Sequence, residues 1–328
     1  AILLASLSLS ASLQAAPTVS TDTLRLTFGE SGALETAIAC FPGCSDDRVR
    51  LQQFADGDLL GFEGFTSGQW TLDSSRGEEG YRLDYVHSSG ATVSWTIPAH
   101  GYRIELDLDM PGAVELRSGE PFRPREAAGF GNWLEQSRYL LVGDGDVTQV
   151  GFDEEADVTT TDSAWLGYRN RYWTLMAAPP ALNSARLATA EGRQDASLSI
   201  TAGPGKWSVY LGPVEPVILA DASDELDDIM WAGLWFWLRW ICLGLFHLLA
   251  WIQVAIPSWG LAIMALSLAV SILMTPLSRI ADRFQQQVNE TEARLAPELQ
   301  RIKKEYRGGE QSERILALYK AEKVHPLY

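Results

Sequence analysis

Between Trp259 and Leu277 the chain runs for nineteen residues without a charge. At 1.5 Å per residue, a helix of that length spans the ~30 Å hydrocarbon core of a bilayer. Arg279 and Arg283 follow at once, whereas Asp224, Glu225, Asp227 and Asp228 lie upstream. Basic flanks favour the cytoplasmic side, so the spacing predicts one transmembrane helix, with residues before it outside and residues 278–328 in the cytoplasm.

Charge divides the rest of the chain in the same way. Residues 1–228 hold 15 Lys+Arg against 34 Asp+Glu, a net of −19, and residues 278–328 hold 10 against 8. Arg239 is the one charge between them, which accounts for the overall −16. So acidic an outer portion repels phosphate backbones and argues against nucleic acid as a partner. The first residue is Ala1 rather than Met, and Ile2 to Leu13 is apolar. This reads as the remainder of a truncated export signal (favoured) or a first transmembrane anchor over residues 1–18. Leu13-Gln-Ala-Ala-Pro17 fits a cleavage site loosely.

From Thr21 to about Leu219 the pattern alternates with a period of two. Thr23–Phe28, Tyr81–Val86, Thr92–Ile97 and Tyr102–Leu108 each place apolar side chains on one face. Ser88-Ser-Gly90 and Ala99-His-Gly101 supply turns. Residues 19–222 therefore read as an antiparallel β-sandwich. Within it Cys40 and Cys44 flank Phe41-Pro-Gly43, a turn that suits either a disulfide in an oxidising compartment or two reduced thiols. No further Cys/His pair lies close by, so a metal site is not expected.

Residues 223–258 read as a helix capped by Ser223, with acids in its first turn. Trp231, Trp235, Trp237, Trp240, Trp251 and Trp259 make up six of the chain's 12 tryptophans. That density suits a membrane interface. Arg239 would cost about 2.5–3.5 kcal/mol at the centre of a span. An amphipathic helix lying in the interface is favoured over a second span. In the span itself, Ser267, Ser271 and Thr275 recur every fourth residue and share a face. Such hydroxyls serve close helix packing, or else form a polar wall toward a water-containing groove. Past the membrane, Ile280, Phe284, Val288, Leu295, Leu299, Ile302 and Tyr306 keep helical spacing. Gly308-Gly309 then breaks the helix before Ile315, Leu318 and Tyr319 begin another, an antiparallel hairpin.

Several segments resemble the YidC/Oxa membrane insertase family. Ala317-Leu-Tyr-Lys-Ala-Glu-Lys-Val-His-Pro-Leu327 is similar to the signature closing that family's first cytoplasmic hairpin, with Tyr319, Lys320, Glu322, Lys323 and Pro326 its distinctive positions. Leu245–Ile252, Trp259-Gly260 and Met274-Thr-Pro-Leu277 resemble the interfacial helix and second transmembrane segment. Val209–Pro213 and Trp165–Trp173 resemble parts of the outer β-domain. The resemblance is strong over residues 207–328 and faint before them. It implies a β-supersandwich in the periplasm (residues 19–258 on that side), a bacterial inner-membrane location, and a core of five transmembrane helices. Only the first of those five falls within this chain, which reads as a fragment truncated at both ends. The implied work is insertion and folding of nascent inner-membrane proteins through a hydrophilic groove, alone or with the Sec translocon and ribosome, with no cofactor. In that family the second transmembrane helix carries an Arg facing the groove. Aligned without gaps from Trp259 through Pro276, that position here is Ser271.

No covalent chemistry is called for. No nucleotide-binding glycine motif occurs, and His87, His100, His247 and His325 are scattered. The rival reading is a membrane-tethered β-sandwich that binds glycan or another envelope component through Trp70, Trp95 or Trp133. It leaves the cytoplasmic hairpin without employment. A third reading, a transporter or channel subunit, also fits the polar intramembrane stripe, and the Tyr319–Pro326 signature favours the insertase over both.

Overall fold

The computed structural model describes residues 16–62, 69–109, 112–123, 137–143, 146–152, 156–158, 163–189, 195–305, 308–311, 313, 315 and 316. Two compact units divide after Leu234.

The first unit holds two nine-stranded antiparallel sheets among the described residues. In chain order, the first sheet contains β1 (Thr18–Ser20), β2 (Leu24–Phe28), β3 (Leu34–Phe41), β4 (Arg50–Gln53) and β5 (Leu60–Phe62). It is completed by β10 (Gly112–Arg117), β13 (Ala156–Val158), β16 (Leu182–Thr189) and β17 (Ala196–Ala202). The second sheet begins with β6 (Trp70–Arg76), β7 (Gly80–His87), β8 (Thr92–Pro98) and β9 (Arg103–Leu108). It adds β11 (Arg138–Gly143), β12 (Asp146–Gly151), β14 (Ser163–Arg169), β15 (Trp173–Ala178) and β18 (Gly205–Pro213). Alternation made these strands readable: Ile104, Leu106 and Leu108 are buried while Arg103, Glu105 and Asp107 are exposed. The turns at Gly90 and Gly101 both take φ of +92°, a left-handed conformation that glycine adopts without a Cβ clash.

Between the sheets lie Trp95, Trp207, Tyr85, Tyr139, Tyr168 and Phe28, all fully buried. Tyrosines tie one sheet to the other. Tyr168 of β14 donates to the Arg117 carbonyl at 2.8 Å, and Tyr102 donates to the Cys40 carbonyl at 2.6 Å. Tyr139 of β11 accepts from the Ser197 amide at 2.8 Å. Each bond satisfies a hydroxyl that burial would otherwise leave costly. At the rim Arg123 grips Asp195 with two bonds, 2.6 and 3.0 Å. The fork raises the guanidinium's proton affinity, hydrogen bonding outweighing burial.

The helix expected from Ser223 is divided. After α1 (Pro216–Ala222), a 3-10 helix covers Asp224–Trp231, and the Ser223 side chain caps nothing. Leu226 and Ile229 lie three residues apart, one 3-10 turn, and both are buried with Trp231. Gly233 at φ +80° ends the segment. Leu226 and Ile229 join the hydrophobic core of the β unit, which extends to Leu234.

In the second unit α2 covers Phe236–Ala255, and α3 covers Trp259–Glu305 as one helix of 47 residues. At 1.5 Å per residue α3 is about 70 Å long. It continues through Pro276 and Pro297. A proline removes one N–H from the ladder, so the helix tolerates the loss at Ile272's carbonyl where flanking turns remain intact. Gly308 takes φ +72°, and helix resumes at residues 309–311.

Candidate functional site

The hydroxyl stripe lies on the exposed surface of α3, and each member bonds to the turn before it. Ser267 donates to the Ile263 carbonyl at 3.0 Å, Ser271 to the Ser267 carbonyl at 2.8 Å, and Thr275 to the Ser271 carbonyl at 2.8 Å. The hydroxyl hydrogens are thereby spent inside the helix, which lowers the cost of placing them in an apolar medium. What faces outward is oxygen lone pairs, a row of neutral acceptors. Around it Met264, Leu268, Ile272, Leu273 and Met274 are exposed and apolar.

Among the described residues two helices are long and apolar enough to cross a membrane, Trp237–Ala255 and Trp259–Arg283. In α2 the rings of Trp237, Trp240 and Trp251 are all exposed. At 100° per residue the three fall within an arc of about 60°. Arg239 sits about 200° from Trp237, on the far side of the same helix. His247 meets Phe246 edge-on at 6.0 Å.

In the β unit the sulfurs of Cys40 and Cys44 are bonded, with Cα atoms 5.0 Å apart. Trp95 is buried and donates its indole N–H to the Gly32 carbonyl at 2.8 Å, so it is core and not a sugar platform. Trp70 packs on His87 at 4.8 Å. Trp133 and the signature residues Tyr319, Lys320, Glu322, Lys323 and Pro326 lie outside the described residues, as does residue 325. Among the described residues no group of His, Cys, Asp and Glu is placed to hold a metal ion.

Two arginines on the outer face of the second sheet escaped the sequence reading. Arg103 of β9 donates to the Ala222 carbonyl at 2.7 Å and to Ser208 Oγ at 2.8 Å. Arg169 of β14 donates to the Ile229 carbonyl at 2.6 Å, and burial, with Arg138 on the facing strand, lowers its proton affinity. Together they fasten α1 and the 3-10 helix to the sheet. Nothing local announces this; only the strand register brings those partners together.

No protein-family model matches the chain. Individual relatives do. A membrane protein insertase YidC of Bordetella pertussis is 23% identical over 94% of this chain and 62% of its own length. That of Cellvibrio japonicus is 25% identical over 86% of this chain and 51% of its own. The chain is a relative of the YidC membrane protein insertases. It spans about 62% of the length of the first of them. A crystal structure of YidC from Thermotoga maritima matches with a TM-score of 0.34 and 16% identity, covering 84% of this chain and 74% of that one. YidC similarity in sequence thus runs through both units and is not confined to the apolar helices.

Proposed function

We propose that this chain is part of an insertase that helps nascent proteins enter and fold in the bacterial inner membrane. The observation that carries the reading is sequence similarity to YidC insertases across 94% of the chain. Insertion requires polar flanks to pass hydrocarbon, and a groove wetted from one side gives them hydrogen-bond partners while apolar segments slide into lipid. The outward acceptors of Ser267, Ser271 and Thr275 suit one wall of such a groove, with further helices beyond this chain closing it. Ser271 at the family's arginine position makes that wall neutral, which predicts less dependence on acidic segments in the clients.

In this reading residues 19–258 are periplasmic, α3 crosses the bilayer from Trp259 to about Leu277, and residues 278–328 begin the cytoplasmic hairpin. The shared face of Trp237, Trp240 and Trp251 supports α2 lying in the interface, rings in the lipid headgroup layer. Tyr319, Lys320, Glu322, Lys323 and Pro326 match the signature that closes the family's first cytoplasmic hairpin, and the Sec translocon and ribosome are the further partners this reading implies. Depleting the full-length protein and following insertion of small inner-membrane proteins tests the function. Unchanged insertion of every client would refute it.

A further inference from the structure

Three stretches distant in sequence, residues 22–23, 40–44 and 99–102, meet in the β unit through hydrogen bonds and the disulfide. The first two flank β2 and end β3 in one sheet, and the third is the turn from β8 to β9 in the other. Asp22 is the hub. Its carbonyl accepts from the Cys44 amide at 2.6 Å, and its amide donates to the Ala99 carbonyl at 3.4 Å. Its carboxylate meets His100 Nδ1 at 2.7 Å. Beside it the Thr23 hydroxyl donates to the Gly101 carbonyl, and Tyr102 donates to the Cys40 carbonyl.

The disulfide fixes where the Cys44 amide sits, since it holds the Cα of Cys44 5.0 Å from that of Cys40. Ser45 to Arg48, which follow, are exposed. Accessibility of the two sulfur-bearing residues is lopsided. Cys40 is fully buried at the end of β3, whereas Cys44 is half-buried on its loop, so a reductant meets Cys44 first. The same stretches wall a cleft of about 670 Å³, whose lining includes Thr23, His100, Gly101 and Tyr102 together with Glu105 and Asp221. Whatever moves Asp22 or the β8–β9 turn therefore reshapes that wall.

We propose that the Cys40–Cys44 bond is a redox latch: oxidised, it holds the β8–β9 turn against Asp22, and reduced, it releases that turn while the β unit stays folded. The co-reactant is a dithiol. Its thiolate bonds to Cys44 Sγ as the S–S bond breaks, and Cys40 leaves with the electron pair and takes a proton. The reductant's second thiolate then closes its own disulfide and releases Cys44, which takes the other proton. Two electrons and two protons have passed to the protein. The fold survives because the closed loop is short and regains little chain entropy, and because a Cys40 thiol is a small apolar group suited to its buried site. Asp22 is exposed and outside the strand ladders, so its bonds are the first to open. The latch does not depend on the insertase reading.

The test is hydrogen exchange, read by mass spectrometry, on the full-length protein in nanodiscs before and after dithiothreitol. Cys242→Ala serves as the background, so that the free thiol of α2 does not exchange with the pair. Reduction should speed exchange at the Asp22 and Cys44 amides about tenfold and leave β17, Ala196–Ala202, unchanged. Reoxidation should restore the slow rates, and Cys40→Ala combined with Cys44→Ser should reproduce the reduced pattern without any reductant. A bond that resists dithiothreitol in the folded protein would overturn the proposal. So would reduction that leaves Asp22 and Cys44 as slow as before, or that speeds β17 equally, which is unfolding and not a latch.

Discussion

The Arg169 guanidinium donates to the Ile229 carbonyl at 2.6 Å, joining a strand of the second sheet to the 3-10 helix just before the apolar helices. Arg169→Met keeps the aliphatic stem and removes the donor, leaving a carbonyl without its partner. The loss is expected at about 1–3 kcal/mol, reduced at the low end by relief of the arginine's own burial. A lowered thermal midpoint, with faster protease cutting across residues 223–235, checks it. Unchanged cutting would show that the apolar anchors Leu226 and Ile229 suffice alone.

Alkaline pH should loosen the sheet-to-sheet ties. Burial raises the hydroxyls of Tyr102 and Tyr139 from the usual 10 to about 12, and raises those of Tyr85, Tyr168 and Tyr210 further. The folded state holds these protons more tightly than the unfolded one. Their contribution is therefore complete below pH 10 and declines as pH climbs from about 10 through 12. Tyrosinate absorbance should lag that of the unfolded chain and then rise together with loss of ellipticity. Titration of all ten tyrosines near pH 10 in the folded protein would contradict this.

Gly167 is the one residue that β14 and β15 tolerate at that crossing. A Cβ there would stand 2.0 Å from the Leu175 carbonyl oxygen and 2.7 Å from the Met176 Cα, both main-chain atoms of the paired strand. Gly167→Ala should cost about 3 kcal/mol or more through separation of the ladder. Gly203→Ala meets nothing within 4 Å and should change little. Equal melting of the two variants would count against the register.

Removing the Cys40–Cys44 bond should cost about 2 kcal/mol, small because the loop it closes is short. Alkylation with mass measurement should label both cysteines only after reduction. Labelling without reductant would show the pair reduced in the isolated protein.

Ser271 separates two roles of its hydroxyl. Ser271→Ala removes one bond to a carbonyl that the helix already satisfies, so stability should move by less than about 0.5 kcal/mol. Ser271→Arg in the full-length protein restores a charge to the wall and should shift insertion toward clients with acidic segments. An unaltered client profile would mean that this position does not face them.

What was legible in the sequence is local and additive. Nineteen uncharged residues after Trp259, and the arginines beyond, can be read in one window because bilayer partitioning sums over neighbours. Period-two alternation revealed β2, β7, β8 and β9 for the same reason. The sandwich was therefore visible, but its pairing was not. The helix expected from Ser223 shows the limit: acids and a serine suggested a cap, yet burial of Leu226, Ile229 and Trp231 on the β unit drew the segment into a 3-10 turn. The continuity of α3 through Pro276 was likewise settled by the turns on either side of that proline.

The stripe Ser267–Ser271–Thr275 was found from spacing alone, since a helix repeats locally. The cleft holding Glu105 and Asp221 was not, because its walls come from residues 23, 96–105, 210 and 217–222. By itself, then, the sequence determined which segments suit lipid, which side their charges favour and where strands alternate. Tertiary structure alone decided which tyrosine bridges which sheets, which arginine holds Ile229, and which carboxylates share a cleft. Those depend on register between strands distant in the chain, and a one-residue slip would turn every such side chain to the opposite face.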